Sequence, residues 1–403
     1  MVTDTLETLI GRRPIFDRDL SVTGYDLVFQ AVDGAPGVPA TPDALLGDPG
    51  ADIVALVGAK EAVCPAGPGV LSGEVAVAVP PERVVVAVRP PVGQDAAALE
   101  ACRRLRAQGY RLSLAGFPWE GVGDEPLSLA WRVTVDAAAL GDDRLAATLD
   151  RCRHAGVEVV ATGVDSPEHL AACAPYDVAL FGGYLLARPH GEPGRQLAPG
   201  RLAGLRMSAR LLDAECPVSE IEEIVRGDPA MTHQLLQLAG IGAAGGMKRT
   251  VASVRQALVF VGWRRLQSWV ALLLLSDDGE ASEEEIATVL MRARMSELLA
   301  PAAGCEADAG YTGGMLSSLD VVLGLPLEQI LDTLPLDPAL RAAVLEGDGP
   351  LGRLIADVID VQLGRPGAAV RCGIGAAALR WAAIEALTWT VGMTSVLETA
   401  RAA

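Results

Sequence analysis

VVVAVRPPVGQDAAALEACRRLRAQGYRLSLAGF, residues 84–117, decides the fold class of the first half. It opens on the strand-like run VVVAV (84–88) and closes on a second such run, RLSLAGF (111–117). Between them, AAALEACRRLRAQG (96–109) sets Ala98, Leu99, Cys102 and Leu105 at helical spacing, with Gly109 as the stop. A strand, a crossover helix and another strand make one unit of a parallel sheet. The alternation extends both ways. VAVAV (75–79) reads as a strand upstream, separated by Pro80 and Pro81. Downstream come the strand WRVTVDA (131–137), the helix DRLAATLDRCRHAG (143–156), the strand VEVVATGV (157–164), the short helix SPEHLAACA (166–174) and the strand DVALFGGYLL (177–186). So many βα units predict a closed barrel, with any chemistry at the C-terminal ends of its strands.

The Pro/Gly-rich stretch ARPHGEPGRQLAPG (187–200) cannot continue a helix and reads as a linker. Beyond it the period changes from two to 3.6. Helices are expected over 201–214, 218–227, 230–240, 251–262, 263–275, 283–300, 315–324, 327–334, 337–345, 351–364 and 376–393, with caps at Ser219 and Asp337. The expected division is a barrel over 1–190, a linker over 191–200 and an all-α domain over 201–403.

At 403 residues, half of them hydrophobic, the chain can bury more than one core. A net charge of −18 repels phosphate backbones and anionic membranes, which argues against nucleic acid and lipid as partners. The strongest apolar run, Leu266 to Ser276, is bounded by Arg265 and Asp277 and is too short to span a bilayer. The first ten residues carry acids and no basic stretch, so they do not read as a signal peptide, and a cytoplasmic location is expected. Seven scattered cysteines without a CxxC pair read as reduced, mostly buried thiols.

Residue types offer little chemistry. Of four histidines only His233 lies in the helical half, too few ligands for a helix-borne metal centre. No GxSxG elbow or phosphate-cradling loop is present, and Gly245–Gly246 reads as a turn. Trp263 and Trp269 read as core.

The opening segment GRRPIFDRDLSVTGYDLVFQ (11–30) resembles the start of bacterial EAL–HDOD signalling proteins. The resemblance continues through PPERVVVAVRP (80–90), GYRLSLAGF (109–117), VVATGVDSPEHL (159–170) and FGGYLLARP (181–189). In the helical half it includes RGDPAMTHQLLQLAG (226–240), VASVRQALVFVGWRRLQSWVALLLL (251–275), LMRARMSELLA (290–300) and GMLSSLDVVLGLPLEQIL (314–331). It implies a fold of α/β plus all-α type, a degenerate TIM-like EAL barrel followed by a helical HDOD domain.

Active EAL relatives hydrolyse cyclic di-GMP with two divalent metals held by carboxylates and an Asn. Set against that pattern, the metal-binding Glu of the EAL signature falls on Asp26 and the phosphate-contacting Arg on Gln30. The Glu of the strand after PPER falls on Ala87, and the paired acids before Phe117 fall on Ala115 and Gly116. The catalytic Lys falls on Thr134, two residues before a retained Asp136. The Glu of the seventh-strand motif is Thr162, with Asp165 in place of its second acid, and the Gln before Gly183 and Tyr184 is Gly182. No Asn occurs in the chain.

The resemblance therefore implies a vestigial pocket with no catalytic residue, metal or cofactor, and a chain that is not an enzyme. It argues against cyclic di-GMP as a partner. The expected function is an adaptor that signals through protein–protein contacts, with homodimerisation open. A cyclic di-GMP effector without hydrolysis and a residual phosphodiesterase are the alternatives.

Overall fold

The computed structural model describes residues 8–31, 42–89, 96–116, 125–136, 142–176, 178–188, 216–226, 235, 253–262, 266, 282–332, 336–365 and 371–401. Phe117, most of the expected linker, the expected helices at 201–214 and 263–275 (but for Leu266), His233, Gly245–Gly246, Trp263 and Trp269 lie outside these residues.

Eight strands close into a barrel in chain order: β1 (Thr8–Phe16), β2 (Val22–Ala31), β3 (Glu61–Pro65), β4 (Val84–Val88), β5 (Arg111–Leu114), β6 (Arg132–Asp136), β7 (Glu158–Thr162) and β8 (Leu180–Gly182). β2 to β8 pair in parallel, whereas β1 runs antiparallel to both β2 and β8. The exception follows from chain length. Only Asp17–Ser21 separates β1 from β2, and a link that short can only reverse the chain. The Asp17 carboxylate holds the reversal by accepting the amides of Asp19 and Ser21 at 2.9 and 3.0 Å.

Helices cover the barrel: α1 (Pro42–Leu46), α2 (Ile53–Val57), α3 (Pro68–Ser72), α4 (Ala96–Ala107), α5 (Glu125–Leu129), α6 (Asp142–Ala155) and α7 (Pro167–Cys173). The expected helix at 96–109 ends with Gly109 at φ +94°, a conformation that costs glycine nothing. Ser166 caps α7 by accepting the His169 amide.

One expected strand is not one. VAVAV (75–79) is irregular, and the third strand is instead EAVCP at 61–65. Hydrogen bonds explain the difference. The Ala78 amide donates to Leu46 O at 2.7 Å, and the Tyr110 hydroxyl donates to Val77 O and Val79 O. The backbone of this stretch is thus bound by a helix end and a side chain, which a period-two pattern does not disclose.

Alternation along the strands divides the barrel into layers. At the N-terminal end Arg132 reaches Glu61 at 3.1 Å and Glu158 at 2.7 Å, while Arg111 reaches Glu61 at 2.7 Å. The guanidinium groups of Arg111 and Arg132 lie 4.5 and 4.2 Å from the ring centroid of Trp131. Above this ionic floor, Ile15, Val63, Val85, Ala87, Val160 and Leu180 fill the interior.

The helical half contains α8 (Val218–Arg226), α9 (Val254–Val261), α10 (Glu283–Leu299), α11 (Ala307–Leu316), α12 (Leu319–Leu323), α13 (Leu327–Asp332), α14 (Pro338–Glu346), α15 (Gly349–Gln362) and α16 (Ala376–Arg401). The expected helix at 315–324 is two helices broken at Ser317–Ser318, whose hydroxyls turn back onto Gly314 O and Met315 O. Asp337 caps α14 as expected, but α8 starts at Val218, which places Ser219 inside the helix. Ser282, unremarked in the sequence, forms a reciprocal capping box with Glu285 on α10.

α10 is the central helix, buried along almost its whole length from Glu284 to Leu299. One apolar cluster runs from the β1–β2 ribbon at Leu9, Phe16 and Leu27 to Met291, Met295, Leu354, Val358, Leu379 and Leu387. Each such side chain contributes about 1.5–3 kcal/mol on full burial. The two halves therefore share one core. No helix among the described residues is long and apolar enough to cross a membrane.

Candidate functional site

The mouth of the barrel collects the aligned positions. Asp136, Thr162 and Gly182 are register partners across β6, β7 and β8, and Gly182 faces Ile15 of β1. Ala87 stands at the end of β4 beside Pro65 and Ser113. Asp136, Thr162 and Gly182 thus stand side by side, whereas Ala87 belongs to the apolar layer. Gln30 lies farther along β2, its backbone paired with Leu9.

The side chains present at the rim serve the backbone. The Thr134 hydroxyl, where the resemblance puts a catalytic Lys, accepts the Gly116 amide at 3.1 Å. The Thr162 hydroxyl donates to Val135 O at 3.2 Å. Ala115 has its amide on Val88 O at 2.9 Å. Gly182 has room for a side chain, since a Cβ there meets nothing nearer than 3.5 Å. Gly183 has none: its Cβ would stand 2.1 Å from Val164 O.

Charge gathers around Arg13. Its guanidinium donates to Asp26 at 2.8 Å, because antiparallel register sets Arg13 opposite Asp26. Burial pulls the Arg13 pKa down, but Asp26 outweighs it, with smaller contributions from Tyr184 and Asp165, and the net shift is upward. Asp165 accepts the Tyr184 amide at 2.8 Å and lies 3.4 Å from Arg188. Burial raises the Tyr184 hydroxyl. The sequence reading missed Arg13 and Arg188. Counting hairpin register outward from Asp17–Ser21 would have found the first; the second depends on how the chain turns after β8.

Two hard divalent cations each need several oxygen ligands. Among the described residues no three His, Cys, Asp or Glu side chains gather closely enough to hold a metal ion. Asp26 and Asp165 already face arginines. The residues present do not fit the two-metal set, and no step through metals follows from them.

On the other face of the same ribbon, Tyr25 Oη donates to Glu284 Oε2 of α10 at 2.7 Å, and Arg12 lies 3.7 Å from that carboxylate. Arg12 also stacks 4.1 Å over the Tyr25 ring. Burial raises the Glu284 carboxyl above its ordinary range, opposed by Arg12 and Tyr25. Burial, then Glu284, raises Tyr25 well above ordinary tyrosine.

Comparison with known proteins adds a domain match and two distant relatives. An HDOD domain model matches residues 204–334. The cyclic di-GMP phosphodiesterase CdgJ of Vibrio cholerae is 26% identical over 282 residues, which is 68% of this chain and 65% of the relative. The chain thus spans just under two thirds of that protein. The Bacillus subtilis uncharacterized protein YuxH is 23% identical over 360 residues, 84% of this chain and 87% of YuxH. Among solved structures, the Klebsiella pneumoniae BlrP1 calcium/cyclic di-GMP complex is similar over 47% of this chain and 58% of its own, at 19% identity and a TM-score of 0.38.

The expectation that the chain is not an enzyme is corrected here, because a relative over two thirds of its length is a named cyclic di-GMP phosphodiesterase. Position-by-position loss removes one particular ligand set. It does not measure turnover by a barrel mouth that retains acids and arginines. The exclusion of cyclic di-GMP as a partner rested on that same loss and loses its footing with it. The chain joins an eight-stranded closed barrel to a helical half that matches an HDOD domain model, and is similar over part of its length to a named cyclic di-GMP phosphodiesterase.

Proposed function

We propose that the chain is a signalling protein whose output is contact with other proteins, made by the helical half while the barrel is docked against it. One observation carries this reading: Asp26, aligned with the metal-binding Glu of the EAL signature, is held at 2.8 Å by Arg13. A carboxylate engaged in this way shapes the mouth, and the docked helices present a second surface through which a signal can pass.

Photo-crosslinking in the source cell tests this with the reactive group at exposed positions of α16, such as Trp381 and Glu385. The reading expects a discrete adduct from α16 and none from Ser21 or Glu82 on the barrel. Adducts from neither region contradict it. The mass of the adduct separates a second copy of the chain from a different protein.

The Vibrio relative favours a second reading, in which the barrel recognises cyclic di-GMP and Arg13 and Arg188 meet its phosphates. Titration calorimetry with cyclic di-GMP checks it. Micromolar binding that weakens in Arg188→Gln supports it, and no heat at high micromolar concentration contradicts it.

A further inference from the structure

Two charged clusters sit back to back on the β1–β2 ribbon. Arg13 and Asp26 point to the barrel mouth, and their chain neighbours Arg12 and Tyr25 point outward to Glu284 of α10. Successive residues of a strand face opposite sides about 3.3 Å apart, so a twist that moves Asp26 also moves Tyr25. We propose that the β1–β2 ribbon couples the barrel mouth to the helical half, the Arg13–Asp26 pair on its inner face and the Tyr25–Glu284 bond on its outer face forming and breaking together. This device is independent of what the mouth binds and of what the helices contact.

Three features favour coupling over mere adjacency. The Glu284 side chain is only 8% exposed, with Arg12 and Tyr25 facing it from the barrel and Lys60 pairing with its neighbour Glu283 at 3.2 Å. Losing Tyr25 and Arg12 together, as undocking would, strands a buried carboxylate, so that end of α10 must stay docked or move to water, and intermediate positions are costly. α10 is also tied to the rest of the helical core. Arg292 donates to Gln362 Oε1 at 2.9 Å and Ser317 O at 2.7 Å, and Gln362 donates to Thr288 O at 2.9 Å. Finally, Arg12 Nη1 donates to Leu56 O of α2 at 3.1 Å, which fixes the outer face to a second element. A ribbon cross-linked by its own ion pair and pinned on its outer face to two elements transmits a change that a loose one would absorb.

Hydrogen exchange of the full chain tests the link. In Asp26→Asn the amides of 284–290 should exchange about five-fold faster or more, the low end of ordinary coupling between sites. β4 should stay protected. Thr134→Ala, which loosens the rim away from the ribbon, should leave 284–290 unchanged. Unchanged exchange of 284–290 in a folded Asp26→Asn chain overturns the proposal, as does equal acceleration in Thr134→Ala. Should Asp26→Asn fail to fold, Glu284→Ala, which removes the acceptor of the Tyr25 hydroxyl, reads the link from its other end. Faster exchange of peptides 9–16 and 22–30 supports the coupling, and wild-type exchange there overturns it.

Discussion

Tyr25 and Glu284 are joined by a 2.7 Å hydrogen bond across 259 positions of sequence, in the contact between barrel and central helix. The acceptor is a carboxylate whose pKa burial has raised above 4.5, against the opposing pull of Arg12 and Tyr25. A carboxyl with a raised folded-state pKa binds its proton more tightly folded than unfolded. Its contribution is therefore fully present below the unfolded value and is lost as pH rises through the folded value. Glu284→Gln should abolish that share of the pH dependence: the stability difference between variant and wild type should grow in the variant's favour from pH 4.5 upward. Urea denaturation across mildly acidic pH checks this, and a pH-independent difference would contradict it.

Gly183 and Gly182 are neighbours with opposite tolerance. A Cβ at 183 would collide with Val164 O, and one at 182 meets ordinary contacts. Gly183→Ala should lose about 3 kcal/mol, at the upper end of overpacking costs, while Gly182→Gln should fold with near wild-type stability. Thermal melts of the two variants decide it.

The ionic floor should be costly to breach. Arg132 is 5% exposed and joins two glutamates beneath the apolar layer. Removing Arg132 leaves Glu61 to Arg111 alone and Glu158, 39% exposed, to water, so Arg132→Ala should cost about 1–3 kcal/mol. A guanidinium midpoint close to wild type would show that water already reaches the floor.

The thiols should be quiet. Burial pushes Cys102 and Cys152 up to about 11 and Cys372 up to about 12, and raises Cys64 further still. At about pH 8 the native chain should leave these four unreacted toward a chromogenic disulfide reagent, because the thiolate is the nucleophile. All seven free cysteines should react once the chain is unfolded.

The barrel was legible wherever side-chain period and backbone pairing agree, as at Val84–Val88 and in the helix ending at Gly109. It was misread at 75–79, where Leu46 and Tyr110 bind the backbone that alternation assigned to a strand. The resemblance named positions from Ala87 to Gly182 by residue type. It did not give their engagement, because Thr134 on Gly116 and Arg13 on Asp26 follow from strand register rather than residue type. The Tyr25–Glu284 contact was out of reach, since it requires knowing how two separately patterned halves dock. The reading of the chain as no enzyme failed for a related reason: it treated missing aligned side chains as missing chemistry.

The most direct test of signalling by contact is complementation in the source organism by a chain carrying Asp136→Asn and Asp165→Asn, two retained acids off the β1–β2 ribbon, read on the phenotype of a strain lacking the gene. Protein contact as output predicts restoration comparable to wild type, provided the variant is folded and expressed equally. Loss of complementation in a folded variant, together with loss of cyclic di-GMP turnover by the purified chain, would contradict it and place the output in the barrel's chemistry.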